Sequence, residues 1–256
     1  MNDTALKVWL ERDGALVRLR LAKPKANLID AAMIAALRSA FEAHRDNPGL
    51  LAALVDHEGP HFSFGASVEE HLPERCEQML RQLHSLLHEM LAWPRPILMA
   101  VRGQCLGGGL EFAAAGSLIF AAPDAQLGQP ELKLGVFAPA ASVLLPLRIG
   151  QARAEDLLFS GRSVSALQAA VWGLVNEVAD DPAAHALSYF ERHLAGKSAA
   201  SLALAVRAAR EPFADLARAR LEDVEALYLE KLMTTRDANE GLIAFMEKRQ
   251  PRWEHR

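Results

Sequence analysis

The chain has 256 residues, of which 51% are hydrophobic and 23% charged, enough for one large core or for one domain with a small appendage. A formal net charge of −4 excludes the basic signature of a nucleic-acid or anionic-membrane binder, and it is too modest for a disordered polyanion. Two cysteines, Cys76 and Cys105, cannot build a disulfide framework and fit a reducing compartment.

The opening stretch MNDTALKVWLERDG has neither a basic n-region nor an apolar h-region, so no signal peptide is expected. LKVWLER (6–12) and LVRLRLA (16–22) flank Asp13-Gly14 and predict a hairpin. Pro24 ends the second strand, and Asn27 or Asp30 caps a helix over 31–46 whose apolar face is Met33, Ile34, Leu37 and Phe41. Asn47-Pro48-Gly49 stops that helix, and LLAALVDH (50–57) predicts a buried strand. A helix follows over 74–92, ended by Trp93-Pro94-Arg95-Pro96, then a strand over 97–103, an Ala-rich helical segment, and a strand over 117–123. A turn falls at Gly128-Gln129-Pro130. Helices are predicted over 151–159, 165–171, 183–194, 199–210, 214–233 and 237–249, with one short strand at LVNEVA (174–179). The alternation predicts an α/β domain with a parallel sheet, followed by a helical C-terminal third. The apolar runs 112–123 and 134–147 are too short for membrane spans and read as buried core; the expected location is cytoplasmic.

RGQCLGGGLEFAAAG (102–116) sets three glycines beside a lone carboxylate, Glu111. Phosphate-binding loops need Gly-Lys-Ser/Thr or G-x-G-x-x-G, and neither is present. No G-x-S-x-G occurs, and Cys105 has no indicated partner. Two readings stay open: a tight turn, or an anion site in which glycines expose backbone N–H groups at a helix start to a transient oxyanion. Glu131, after Pro130 in DAQLGQPELKLG (124–135), is either a plain first-turn residue or a second proton-handling group. Turns after neighbouring parallel strands lie side by side, and two carboxyls held there in low dielectric have raised and split pKa values suited to acid–base work. His84 and His88 stand at i, i+4, but the H-E-x-x-H order of a zinc helix is absent, so no metal is expected.

VRGQCLGGGLE (101–111) and QLGQPELKLG (126–135) resemble the two signature segments of the crotonase, or enoyl-CoA hydratase, superfamily. KPKANLID (23–30), HFSFGASVEEH (61–71), SGRSVSALQAAVWGLVNEV (160–178) and EGLIAFMEKRQPRW (240–253) extend the resemblance in the right order over nearly the whole chain. It implies a crotonase-like α/β spiral of ββα turns over residues 1–198, in place of a doubly wound sheet. Residues 199–256 are then a helical trimerisation region, with trimers commonly paired into hexamers. It implies a backbone oxyanion hole from Phe64 and Gly108, with catalytic Glu111 and Glu131. Substrate and CoA contacts are implied for Lys25, Ala26, Phe62, Gly65, Ala66, Gly107, Phe137 and Lys248, though both lysines also read as ordinary surface residues. The implied partner is an acyl-CoA; no cofactor beyond the substrate's own coenzyme A, no nucleic acid and no membrane are expected. Carrying both glutamates favours water addition to a conjugated acyl-CoA.

The chain departs from the family pattern at Phe64 (commonly alanine), Ser67 (commonly aspartate) and Val136–Ser142, which replaces a Pro-Gly-Ala-Gly-Gly run. Phe62, Phe64 and Phe137 either wall a flat acyl chamber or belong to the core. FSFGASVEEHLP with QPELKLGVFAPAAS is most similar to the branch of the family that hydrates a cyclic dienoyl thioester in anaerobic aromatic degradation. The alternatives are a straight-chain 2-enoyl-CoA hydratase and a non-catalytic CoA- or RNA-binding member.

Overall fold

The computed structural model describes residues 4–256. Residues 1–3, which begin both the expected core segment and the N-terminal stretch read for a signal peptide, lie outside the described residues. Strands β1 (Leu6–Glu11) and β2 (Leu16–Leu21) pair antiparallel, in register from Leu6↔Leu21 to Glu11↔Leu16. Helix α1 (Ala31–Arg45) is capped by Asp30, whose carboxylate accepts the Met33 N–H at 2.8 Å. Asn27 is not the cap. It is fully buried at φ +44°, and its amide ties the preceding loop to Lys23 N–H, Glu58 O and His61 O.

The chain then repeats one pattern. β3 (Ala52–His57) leads to a bridge at Ser63 and helix α2 (Pro73–Leu91). β4 (Ile97–Val101) leads to β5 (Gln104–Leu106) and α3 (Gly108–Ala115). β6 (Leu118–Ala121) leads to β7 (Gln126–Gly128), a 3-10 turn (Glu131–Leu134) and α4 (Pro139–Ile149). Each turn gives one strand to a six-stranded sheet of order β1-β2-β3-β4-β6-β9, and the second and third also give β5 and β7 to a second layer of order β5-β7-β8. Ser63 bridges Cys105 at the edge of that second layer. Except for the β1–β2 hairpin, the large sheet is parallel. This is the spiral of ββα turns; the doubly wound alternative is absent. The chain continues through α5 (Gln151–Ser160), β8 (Ser163–Ser165), α6 (Ala166–Trp172), β9 (Glu177–Val178), α7 (Pro182–His193), α8 (Ala199–Glu230) and α9 (Arg236–Met246).

Two expectations are corrected. First, β5, β7, β8 and α4 carry no sequence signal that singles them out. The strands span three residues each, too few for a period to register. Helix α4 is apolar on almost every side, which is the pattern of a helix enclosed by protein. Second, helices read separately as 199–210 and 214–233 form one helix of 32 residues running through Pro212. Pro212 and Ala208, whose carbonyl loses its i+4 donor, are both exposed, so the freed oxygen lies on the solvent side of the helix. Among the described residues no helix is long and apolar enough to cross a membrane. The exposed helix-interior position predicts that Pro212→Ala stabilises the protein, by up to about 3 kcal/mol. A urea titration checks this, and a lowered midpoint contradicts it.

Candidate active site

β5 and β7 pair in parallel with Leu106 opposite Gly128, so the chain leaves both strands side by side. The adjacent turns follow these short strands of the second layer, not the strands expected over 97–103 and 117–123. Each of the three glycines makes room for a different neighbour. A Cβ on Gly107 (φ +53°) would lie 2.6 Å from Glu131 Oε1. One on Gly108 would lie 3.1 Å from the Ala66 nitrogen, and one on Gly109 2.6 Å from Ser63 Cβ. The run thus permits three close approaches at one point, more than a turn requires.

The backbone donors differ from expectation. The Phe64 N–H donates to Ala26 O at 2.9 Å and is spent on the loop, so Phe64 cannot supply the oxyanion hole. Gly65 N–H is likewise engaged, by Ser63 Oγ at 3.0 Å. Among the described residues the N–H groups of Ala66 and Gly108 make no hydrogen bond, and the two residues are in contact along one cavity. Gly108 opens α3, so the positive end of that helix faces the same cavity.

Glu111 lies in the first turn of α3 and is 3% exposed. Its Oε1 accepts the Ala141 N–H at 2.8 Å, so this carboxyl also caps the start of α4. Burial pushes its pKa up, while the Ala141 and Ala140 N–H groups and the charge of His84 pull the other way. Glu131 has no such help from neighbouring cations. Burial, and then the charge of Glu111, push its pKa up to about 8. The buried Gln129 amide, turned to satisfy its neighbours, holds both Glu131 oxygens at 3.1 and 3.0 Å. A raised carboxyl value means that the stability Glu131 contributes is present below pH 4.5 and lost as pH rises through about 8.

The cavity measures about 70 Å³, and Met79, Leu80, Leu83 and Phe137 close its apolar side. Phe64, 43% exposed, lies at its mouth, and Gly65, Ala66, Gly107 and Gly108 line it. Phe62 does not line it. That ring is fully buried, edge-on to His57 and stacked with Phe112 at 6.2 Å, and so belongs to the core. From the cavity mouth an open groove runs past Phe64, Ala66, Lys133 and Lys248. Lys25 and Ala26 line neither space: Lys25 is exposed on its loop, and Ala26 spends its carbonyl on Phe64. Sequence reasoning missed Ala66 as a donor, Gln129, His71 on the cavity wall and Lys133 in the groove. Only Gln129 had a signal, its place two residues before Glu131. His84 is buried and hydrogen-bonded to Glu225, and among the described residues no group of three or more His, Cys, Asp or Glu is arranged to hold a metal ion.

The family model described as Enoyl-CoA hydratase/isomerase matches residues 11–256. The cyclohexa-1,5-dienecarbonyl-CoA hydratase of Thauera aromatica is 62% identical, covering 99% of this chain and 98% of its own. The carnitinyl-CoA dehydratase of Proteus mirabilis (strain HI4320) is 31% identical, over 95% of this chain and 96% of its own. Among solved structures, an enoyl-CoA hydratase/isomerase from Pseudoalteromonas atlantica T6c superposes with a TM-score of 0.86 at 26% identity, over 97% of this chain and 99% of that one.

The crowding at Gly107 yields a test. Gly107→Ala should displace Glu131 and lower kcat by roughly 10–100-fold in a folded protein. Unchanged kcat in acyl-CoA hydration assays would remove the significance given to that close approach.

Proposed function

Because the chain belongs to the enoyl-CoA hydratase/isomerase family, we propose that it adds water to cyclohexa-1,5-diene-1-carbonyl-CoA, the reaction for which its Thauera relative is named. The observation that carries this reading is the meeting of Glu111, Glu131 and two unbonded amides around one small cavity. The closed apolar end at Met79, Leu80, Leu83 and Phe137 suits a compact ring better than a long chain.

The mechanism follows from the unequal surroundings of the two carboxyls. Both carboxyls are raised, but the Ala140 and Ala141 N–H groups and the charge of His84 oppose the rise at Glu111, so Glu111 is assigned as the base and Glu131, raised to about 8, as the acid. The thioester oxygen accepts from the Ala66 and Gly108 N–H groups. Glu111 takes a proton from water, and the hydroxyl bonds to the β-carbon. The displaced electron pair spreads into a dienolate held by the two amides. Glu131 then gives its proton to the far end of the conjugated system, leaving 6-hydroxycyclohex-1-ene-1-carbonyl-CoA. Passing the proton from Glu111 to Glu131 resets the pair. Water and the thioester supply all atoms of the product, so the scheme uses no cofactor.

The CoA moiety follows the open groove, with Lys248 and Lys133 placed for its phosphates. Exposed Leu204, Leu216 and Leu227 on α8, with Phe245 on α9, support residues 199–256 as the trimer- or hexamer-forming region beside a core over 1–198. Two buried free cysteines accord with a cytoplasmic location.

Glu111→Gln and Glu131→Gln should each lower kcat at least ~100-fold. In the native enzyme kcat/KM should fall as pH rises past about 8, where Glu131 loses the proton it must donate. Parallel assays with the cyclic dienoyl-CoA and crotonyl-CoA, run in heavy water with mass detection, test the substrate and the protonated carbon together. Faster turnover of crotonyl-CoA, or deuterium at the α-carbon, would replace this reading with that of a straight-chain hydratase.

A further inference from the structure

Among the described residues, three polar side chains line the cavity: His71, Glu111 and Glu131. The proposed mechanism uses both acids and gives the imidazole no task. His71 closes a 3-10 turn (Val68–His71) on the loop that carries the free Ala66 N–H. Its Nδ1 lies 2.8 Å from the Ser67 carbonyl oxygen. A carbonyl oxygen can only accept, so Nδ1 carries the imidazole proton and donates it there. Burial pushes the imidazole below its usual range by more than the Ser67 bond restores, so it is neutral near pH 7. Nε2 is then a bare lone pair with no hydrogen-bond partner among the described residues. The Nε2 atoms of His84 and His88 are also unpartnered, but those are sealed in protein; that of His71 is not.

A hydroxyl formed in this cavity needs such an acceptor. Water brings two O–H protons. The proposed mechanism passes one to Glu111, and the other stays on the oxygen that joins the carbon ring. Left unpaired against apolar side chains, that O–H would cost free energy. The Ala66 and Gly108 amides are donors, and Glu131 arrives with a proton to give. Glu111 Oε1 already accepts from Ala141, and both Glu131 oxygens are held by Gln129. A space of about 70 Å³ sets these groups before the same few ligand atoms.

We propose that Nε2 of His71 accepts a hydrogen bond from the hydroxyl being added to the carbon ring, which makes His71 a specificity-determining residue for the hydroxylated thioester over its unhydroxylated counterpart. The Ser67 carbonyl serves this role by fixing the proton on Nδ1.

The inference rests on the proposed hydration reaction, and its test separates the two. Using the full-length protein, inhibition constants are measured in hydration assays for two thioesters: 6-hydroxycyclohex-1-ene-1-carbonyl-CoA, and the same compound without its hydroxyl. The variants are His71→Asn, whose amide nitrogen can replace Nδ1 on Ser67 O but leaves no acceptor in the place of Nε2, and His71→Gln, whose amide oxygen can replace Nε2. His71→Asn should weaken the hydroxylated thioester by roughly 3–10-fold and leave the other unchanged. His71→Gln should keep most of the preference for the hydroxyl. Thermal melts are the folding control, and His71→Phe replaces His71→Asn if the latter does not fold. Equal weakening of both thioesters, or a preference kept by His71→Asn and lost by His71→Gln, overturns the role given to Nε2. No hydration of the cyclic dienoyl-CoA by the native protein overturns the proposed function, and this inference with it.

Discussion

Glu111 and Glu131 line one small cavity, where burial and the nearness of each charge to the other oppose both being ionised at once. Burial raises the proton affinity of each, and the charge of whichever ionises first raises that of the other. Which of them yields is decided by what stands behind it. Glu111 rests on the N–H groups at the start of α4 and feels the charge of His84; Glu131 rests on the Gln129 amide. The proposed base and acid are thus the same residue type in unequal surroundings.

The fold serves this arrangement. Parallel pairing of β5 with β7 brings their exits together, and the glycines after β5 let Glu131, Ala66 and Ser63 approach the backbone within distances that a side chain would forbid. Helices α3 and α4 both begin at the cavity. Their N-termini place positive potential at the cavity, where the proposed mechanism gathers negative charge on the thioester oxygen and on Glu111. Such a site opposes stability, because the buried acids favour the folded state least when they are charged. The surrounding spiral, whose central strands β3 and β4 are buried along almost their whole length, holds it in place.

Much of this was readable from residue order. The triple glycine beside Glu111 and the Gln-Pro-Glu turn announced close approach and a buried acid, because such residues are costly without a ligand to serve. The alternation of strands and helices gave the α/β class. What the order of residues did not carry was how individual amides are used. Phe64 and Ala66 are two positions apart, and only the fold of the loop over 23–27 decides that Ala26 O takes the first N–H and leaves the second free. Phe62 and Phe137 look alike in the chain, yet one is sealed beneath the sheet and the other stands on the cavity wall. The three-residue strands and the continuous helix through Pro212 escaped for a related reason: local pattern is weak where tertiary packing, or solvent on one face, sets the outcome.

The account depends on a proton that resides on Glu131 and not on Glu111 in the resting protein. Infrared spectra of the native protein with isotope-labelled glutamate carboxyls, recorded at neutral pH against Glu131→Gln and Glu111→Gln, observe that proton directly. A buried protonated-carboxyl band that vanishes in Glu131→Gln and persists in Glu111→Gln is the predicted result. Its absence from the native protein, or its loss only in Glu111→Gln, would contradict the division of roles between the two acids.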